Sequence, residues 1–268
     1  MILSFHTLAD NLLRLPELKG FEGVDFDSAE ANAIQREIFR KKKILGILYQ
    51  EYCRPFVESA NRAPKNAKML EIGSGTSPLK EAIPGLLCSD LVVSPWLDIV
   101  ASAYALPFRD NSLDRIFLMF VCHHLGKIET FLEEAFRCLK PGGEMVIIDP
   151  AITLFSKPYY TYIHVDNMDI QAKKWGFEGT GRLSDSNIAL AWMIFFRDRD
   201  RFQKLYPDFI IEKVEYSTCL SFLLSGGLRI RQLMPTRVIS TLFAAENWFI
   251  RHASHQIAVT MALTIRKK

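Results

Sequence analysis

Three groups of residues in this chain have the types and spacing to do chemistry. The first is Met69-Leu-Glu71-Ile-Gly73-Ser-Gly75-Thr-Ser-Pro78. A short apolar run with one acid breaks there into two glycines. Such glycines allow a sharp turn and let a ligand approach the backbone with no Cβ in the way. The turn usually feeds a helix whose free N–H groups face the ligand. A plain strand-to-helix turn would use the same glycines. The surroundings narrow the ligand. A dinucleotide site wants a third glycine at position 78, where this chain has Pro78. The Glu71 carboxylate would repel a pyrophosphate and attract an ammonium. The spacing therefore suits a nucleoside carrying an amino acid better than one carrying phosphates.

The second group starts with Asp90, which ends the next apolar run, Leu86-Leu-Cys-Ser-Asp90. An acid there, beside the glycine turn of a βαβ unit, is placed to accept from ribose hydroxyls. It could equally be a turn residue. Further on, His123 and His124 follow the strand expected over 113–120. Ligands of open parallel sheets sit beyond the strand C-termini. The pair then falls on the active edge, as a base, as an orienting group, or as hydrogen-bonded strand-end histidines. The third group is Tyr159, Tyr160, Tyr162 and His164. They could orient or deprotonate an acceptor, or pack a lid.

These groups need a scaffold, and the pattern supplies one. Apolar runs predict strands at 69–72, 86–90, 97–100, 113–120 and 144–149. The connection from Asp90 to Leu97 is too short for a crossover helix. A helix is expected over 127–140, with Ile128, Phe131, Leu132, Ala135, Phe136 and Leu139 on one face, stopped by Pro141-Gly142-Gly143. One long helix is expected from Ser28, ending at Pro55, with Arg36, Arg40 and Lys43 on one side and Lys41 and Lys42 beside them. That side is a solvated face or an anchor for anionic lipid head groups. Residues 61–68 read as a polar linker. Residues 187–206 read as an aromatic helix, and 209–216 and 255–266 as closing strands. Between those strands, 217–254 is far longer than a hairpin loop. Its apolar residues, with Arg229, Arg231, Arg237 and Arg251 among them, suit a lid hinged at Gly226-Gly227 or a helical pair packed on the sheet. The leucines of 1–27 suit a short helix with no evident function.

With 49% apolar and 24% charged residues, the composition is that of a globular protein. A net charge of +3 gives no case for nucleic-acid binding. Cys53, Cys88, Cys122, Cys138 and Cys219 are scattered, which points to reduced thiols in a cytoplasmic setting rather than to a metal or disulfides. The start of the chain lacks the pattern of a signal peptide, and no apolar run reaches membrane-spanning length.

Glu71-Ile-Gly73-Ser-Gly75, an acid at 90, Leu106-Pro107-Phe108, Asp114 before an apolar strand, His123-His124-Leu125 and Leu139-Lys-Pro-Gly-Gly143 occur in order. Together they resemble the class I S-adenosylmethionine-dependent methyltransferases of the type-11 group, over roughly residues 66–150. The resemblance implies an α/β, Rossmann-like fold: a seven-stranded, mainly parallel sheet with an antiparallel closing hairpin and helical insertions forming a cap. It divides the chain into an N-terminal helical segment (1–65), a cofactor-binding core (66–150) and a C-terminal half (151–268). It implies Glu71 at the methionine ammonium, Gly73, Ser74 and Gly75 under the cofactor, and Asp90 at the ribose. Ser102 and Ala103 would lie at the adenine and Phe120 beside the cofactor. The chain departs from the pattern at Ser77, often glycine, at Ser102, often aspartate, and in the missing helix after Asp90. The implied activity is methyl transfer from S-adenosylmethionine to a small or lipid-like acceptor, with S-adenosylhomocysteine as product, no metal, and His123, His124 or His164 as candidate bases. Peripheral membrane contact is part of this expectation. Rival readings are a non-catalytic partner subunit of the same fold and an NAD-dependent oxidoreductase. Pro78 and Glu71 speak against the second.

Overall fold

A computed structural model describes residues 28–76, 78–164, 166–179, 185–228 and 231–268. The leucine-rich segment 1–27, Ser77 and Arg229 lie outside them. The first described elements are two helices, α1 (Ala29–Lys41) and α2 (Lys43–Asn61). There follow β1 (Met69–Ile72), a four-residue α3 (Leu79–Ala82), β2 (Leu87–Asp90) and β3 (Ile99–Val100). Next come β4 (Leu113–Met119), a 3-10 turn at Cys122–His124, α4 (Ile128–Cys138) and β5 (Leu139–Pro150). The last part holds α5 (Ser156–Tyr162), then α6 (Leu190–Trp192), which runs through a π turn (Met193–Arg197) toward α7 (Arg199–Leu205). It closes with β6 (Phe209–Ser217), α8 (Leu220–Ser225), α9 (Thr236–His252) and β7 (Thr260–Lys267).

The strands form one seven-stranded sheet in the order β3-β2-β1-β4-β5-β7-β6. The first five pair in parallel, and β7 runs antiparallel between β5 and β6. This is the expected fold. Strand side chains alternate between faces, and the two cores follow that alternation. Ile116, Leu118, Met145 and Ile147 pack with α4 and the aromatic helices on one face. Phe117, Val146 and Ile148 pack with α2 and Ile239 of α9 on the other. With both faces covered, the strands carry nearly unbroken apolar runs. No helix among the described residues is long and apolar enough to cross a membrane.

The structure corrects the sequence reading at four elements. The helix expected from Ser28 to Pro55 is two helices that break at Lys42, where ψ is 91°. Lys42 leaves the helix because its Nζ donates to the carbonyls of Ser225 and Gly227. Pro55 does not end α2 but lies inside it. An interior proline costs about 3 kcal/mol. Burial of Tyr52, Phe56 and Ser59 on the same helix against the sheet offsets that cost. Pro141-Gly142-Gly143 lies within β5, because Leu139 already pairs with Leu113. The last strand starts at Thr260 rather than His255, because His255–Ile257 is a 3-10 turn.

Candidate active site

Past Ile72 the chain turns through Gly73 at φ +65° and Gly75 at φ +48°, both left-handed conformations that favour glycine. A Cβ on Gly73 would lie 2.6 Å from Val121 Cγ2, so the turn also nests against the segment after β4. Hydrogen bonds tie the turn to the end of β2. Ser74 N donates to Ser89 O at 2.9 Å, and Ser89 Oγ donates to Glu71 O at 2.8 Å. Gly75 N donates to Asp90 Oδ2 at 2.9 Å, while Leu91 N donates to Asp90 Oδ1 at 2.7 Å. Asp90 thus holds the turn in place. Val92 N also donates to Asp90 Oδ1, at 3.3 Å, so three backbone donors hold this carboxylate at the cavity wall.

The sequence reading missed Trp96. With no crossover helix after β2, residues 91–98 fold back over the glycine turn, and Trp96 Nε1 donates to Gly75 O at 2.7 Å. The Arg36 guanidinium of α1 stacks on the indole at 4.4 Å. No local signal marks Trp96, since its partners lie on α1 and in the glycine turn. Trp96→Phe keeps a ring for Arg36 and removes the donor. A net hydrogen bond is worth about 1 kcal/mol. We therefore expect S-adenosylhomocysteine affinity to fall about fivefold in calorimetry, with the circular dichroism spectrum unchanged. Unchanged affinity would show that Trp96 does not support the turn.

These elements border an open cavity of about 720 Å³ at the C-terminal ends of β1, β2 and β4. All eight residues assigned to the cofactor line it: Glu71, Gly73, Ser74, Gly75, Asp90, Ser102, Ala103 and Phe120. Phe120 has φ +57° and ends β4 there. Asn32 and Gln35 of α1, Tyr49 of α2 and residues 174–179 complete the wall. Within 217–254, Leu228 is the one described residue that lines the cavity. Among the described residues, the cover over the cavity therefore comes mainly from the N-terminal helices and 174–179. α8 and α9 instead pack on each other, with Ile239 of α9 buried in the core beside α2. Gly226 is the left-handed C-cap of α8, at φ +71°.

The candidate bases separate. His124 lines the cavity, and its Nδ1 lies 3.1 Å from Asp185 O. His123 does not line it. Its ring is buried behind that of His124, with centroids 4.1 Å apart, and its Nδ1 lies 2.7 Å from Asp149 Oδ1. Burial disfavours the charged His123 ring, but the adjoining Asp149 carboxylate outweighs it and holds the pKa above the usual value. Burial raises the Asp149 carboxyl in turn. His164 does not line the cavity and packs edge-on against Tyr159 and Tyr160, with Nδ1 3.3 Å from Asp166. Tyr160 donates to Val259 O and Tyr162 is exposed, so the Tyr/His cluster packs around α5 rather than facing the cavity.

Glu71 is buried and is one of the residues that line the cavity. The side-chain donors beside it are the Ser74 hydroxyl and the weak Cys88 thiol, the latter at 3.5 Å. Burial pushes its pKa up to about 7 against those donors, and the neighbouring Asp90 charge adds to the rise. A carboxylate in that state suits a cationic ligand group and opposes a pyrophosphate.

Comparison with known proteins identifies the domain that carries this site. The methyltransferase domain family, as a sequence profile, matches residues 70–147. Residues 70–147 are thus similar to a methyltransferase domain. Among known relatives, the ubiquinone/menaquinone biosynthesis C-methyltransferase UbiE of Salmonella arizonae is 39% identical over 67 residues. That match covers 24% of this chain and 27% of the relative, so the chain matches about a quarter of the length of such relatives. Among solved structures, geranyl diphosphate C-methyltransferase from Streptomyces coelicolor aligns with a TM-score of 0.49 at 11% identity, over 88% of this chain and 84% of that one. A methyltransferase from Archaeoglobus fulgidus aligns at 0.47 and 14%, over 82% and 93%. The methyltransferase profile ends at residue 147, short of α5, the aromatic helices and the closing hairpin.

Not every motif of the methyltransferase domain serves the site. Asp114 accepts from Lys68 N and pairs with Lys140 at the start of β4, the end of the sheet opposite the cavity. Leu106 and Phe108 present carbonyls to Arg137 of α4. Both motifs hold the fold together.

Proposed function

We propose that this chain transfers a methyl group from S-adenosylmethionine to an apolar, lipid-like acceptor. The observation that carries the reading is the placement of Glu71 and Asp90. They lie on either side of one glycine turn and border one cavity. The residues present fit the cofactor. Glu71 is a buried carboxylate without a cationic partner among the described residues, where an ammonium would supply the missing charge. Asp90 is a carboxylate fixed by backbone donors at the cavity wall, on the side of the glycine turn where a ribose would lie. S-adenosylmethionine, when bound, supplies a methyl group already activated on a sulfonium.

The protein then has mainly to position and to exclude water. Phe120, Val121, Leu125, Trp175, Phe177 and Leu228 give the cavity apolar walls, which suit an acceptor with a long apolar part. An acceptor that must lose a proton needs a base, and His124 is the histidine that lines the cavity among the described residues. Asp185 O keeps the proton on Nδ1 and gives Nε2 the accepting role. The His123–Asp149 pair braces that ring from behind. General-base help contributes a factor of about 10² or more. His124→Ala is thus expected to lower turnover about a hundredfold while leaving S-adenosylhomocysteine affinity unchanged. Parallel losses of folding and activity would make His124 structural.

The name of the Salmonella relative concerns quinone biosynthesis, which makes a prenylated hydroquinone a reasonable first probe. With methyl-labelled S-adenosylmethionine, label should pass into organic-extractable product, and more readily as the prenyl tail lengthens. Transfer that favours water-soluble, tail-free acceptors would contradict the lipid-like reading.

A further inference from the structure

Basic and apolar side chains that the cofactor cavity does not use are brought together at its rim. α1 and α2 meet at Arg40-Lys41-Lys42-Lys43. Lys42 turns inward, and its Nζ donates to Ser225 O at 2.8 Å and to Gly227 O at 2.5 Å. The preceding carbonyl, Leu224 O, accepts from Leu233 N at 2.9 Å. Lys42 and Leu233 are therefore tied to consecutive residues at the end of α8. On the Lys42 side, Arg40, Lys41 and Lys43 are exposed. On the other side, the large apolar residues Leu233, Met234 and Val238 are 44%, 42% and 45% exposed, with Arg231 and Arg237 exposed among them. Trp248 and Phe249 continue the exposed apolar residues toward the end of α9. Leu228, between the two ties, packs near Ala31, Ile38 and Leu45 and also lines the cavity.

We propose that this rim docks on the surface of an anionic lipid bilayer. Grouped exposed apolar side chains mark an interaction site. Cations interleaved with apolar residues and a tryptophan match an interfacial surface that lies on a membrane. Charge selects the occupant. Arg40, Lys41, Lys43, Arg231 and Arg237 outnumber the exposed acids of α1, Glu30 and Glu37, while the acid of α9, Glu246, is buried. A second copy meeting this face symmetrically would set cations against cations. An anionic bilayer is complementary to it. Docking would bring the Leu228 wall of the cavity toward the lipid, where an apolar acceptor resides. The purpose of the surface rests on the lipid-acceptor reading above, whereas the binding itself is measured without turnover.

The test is flotation of the whole chain with vesicles of phosphatidylcholine alone and of phosphatidylcholine mixed with phosphatidylglycerol. The chain should float with the mixed vesicles, less so as salt rises, and hardly with the neutral ones. Arg40→Glu, Lys43→Glu and Arg237→Glu together should lower partition into mixed vesicles about a hundredfold. Leu233→Ser with Val238→Ser should also lower it. Calorimetry with S-adenosylhomocysteine checks that each variant is folded, since none of these residues touches the cavity. Failure of the wild-type chain to bind that ligand would undo the methyltransferase reading and leave the vesicle result to stand by itself. No preference for mixed vesicles, or binding that neither variant changes, would overturn the proposal. So would a dimer in light scattering that the same variants dissolve, without vesicle binding, since that would assign the face to a second copy.

Discussion

Asp90→Ala is expected to weaken S-adenosylhomocysteine binding about a hundredfold. Two effects act together. The ribose hydroxyls lose their acceptor, and the backbone N–H groups of Gly75, Leu91 and Val92 lose theirs. A buried group left unpaired costs about 1–3 kcal/mol, and here the cost falls where the glycine turn is held in shape. Asp90→Asn keeps one carbonyl acceptor and should recover part of the loss. Calorimetry reads both variants. Affinity unchanged in the alanine variant would remove Asp90 from the site.

Much of this site could be read in the sequence because its determinants are local. Glu71, Gly73 and Gly75 fall within one strand and its turn. Asp90 ends the neighbouring strand, so parallel pairing of β1 with β2 brings it to Gly75. What escaped depends on distant partners. The break between α1 and α2 follows from a lysine bonded to carbonyls 183 and 185 positions away. Trp96 acts across the gap left by a missing helix. His123 and His124 are adjacent in sequence, and only the path of the 3-10 turn decides which ring faces the cavity. His164 follows the aromatic residues of α5, and the bond of Tyr160 to Val259, just before β7, helps set where α5 lies, with His164 outside the cavity lining. The 217–254 segment has apolar residues that suit a lid or a core, and its packing of Ile239 beside α2 depends on residues far away in sequence.

Glu71→Gln is expected to change both affinity and its pH dependence. In the empty protein burial raises the Glu71 pKa to about 7. Its ionised form is the one that attracts an ammonium. In the wild-type chain, S-adenosylhomocysteine affinity should therefore be full above pH 7 and fall about tenfold for each unit below it, as bound protons compete with the ligand. In Glu71→Gln that slope should vanish, and affinity at pH 8 should drop by at least about tenfold, since a charge-assisted hydrogen bond contributes about 1.5–3 kcal/mol. An analogue without the amino group should be indifferent to the change. Stability should move the other way. The folded pKa lies above the unfolded value, so the empty protein loses stability as pH rises from about 4.5 to 7. The glutamine variant lacks that loss and should melt higher than wild type at pH 8 in the absence of ligand. Equal affinity losses for both ligands, or a slope that persists in the variant, would separate Glu71 from the ammonium.

The claim that one cavity receives a nucleoside bearing an amino acid is tested most directly by titrating the wild-type chain in a calorimeter with S-adenosylhomocysteine and, separately, with NAD. The arrangement of Glu71, Gly73, Gly75 and Asp90 predicts saturable, one-to-one binding of S-adenosylhomocysteine and no measurable heat of binding with NAD. Saturable binding of NAD, with no response to S-adenosylhomocysteine, would contradict it.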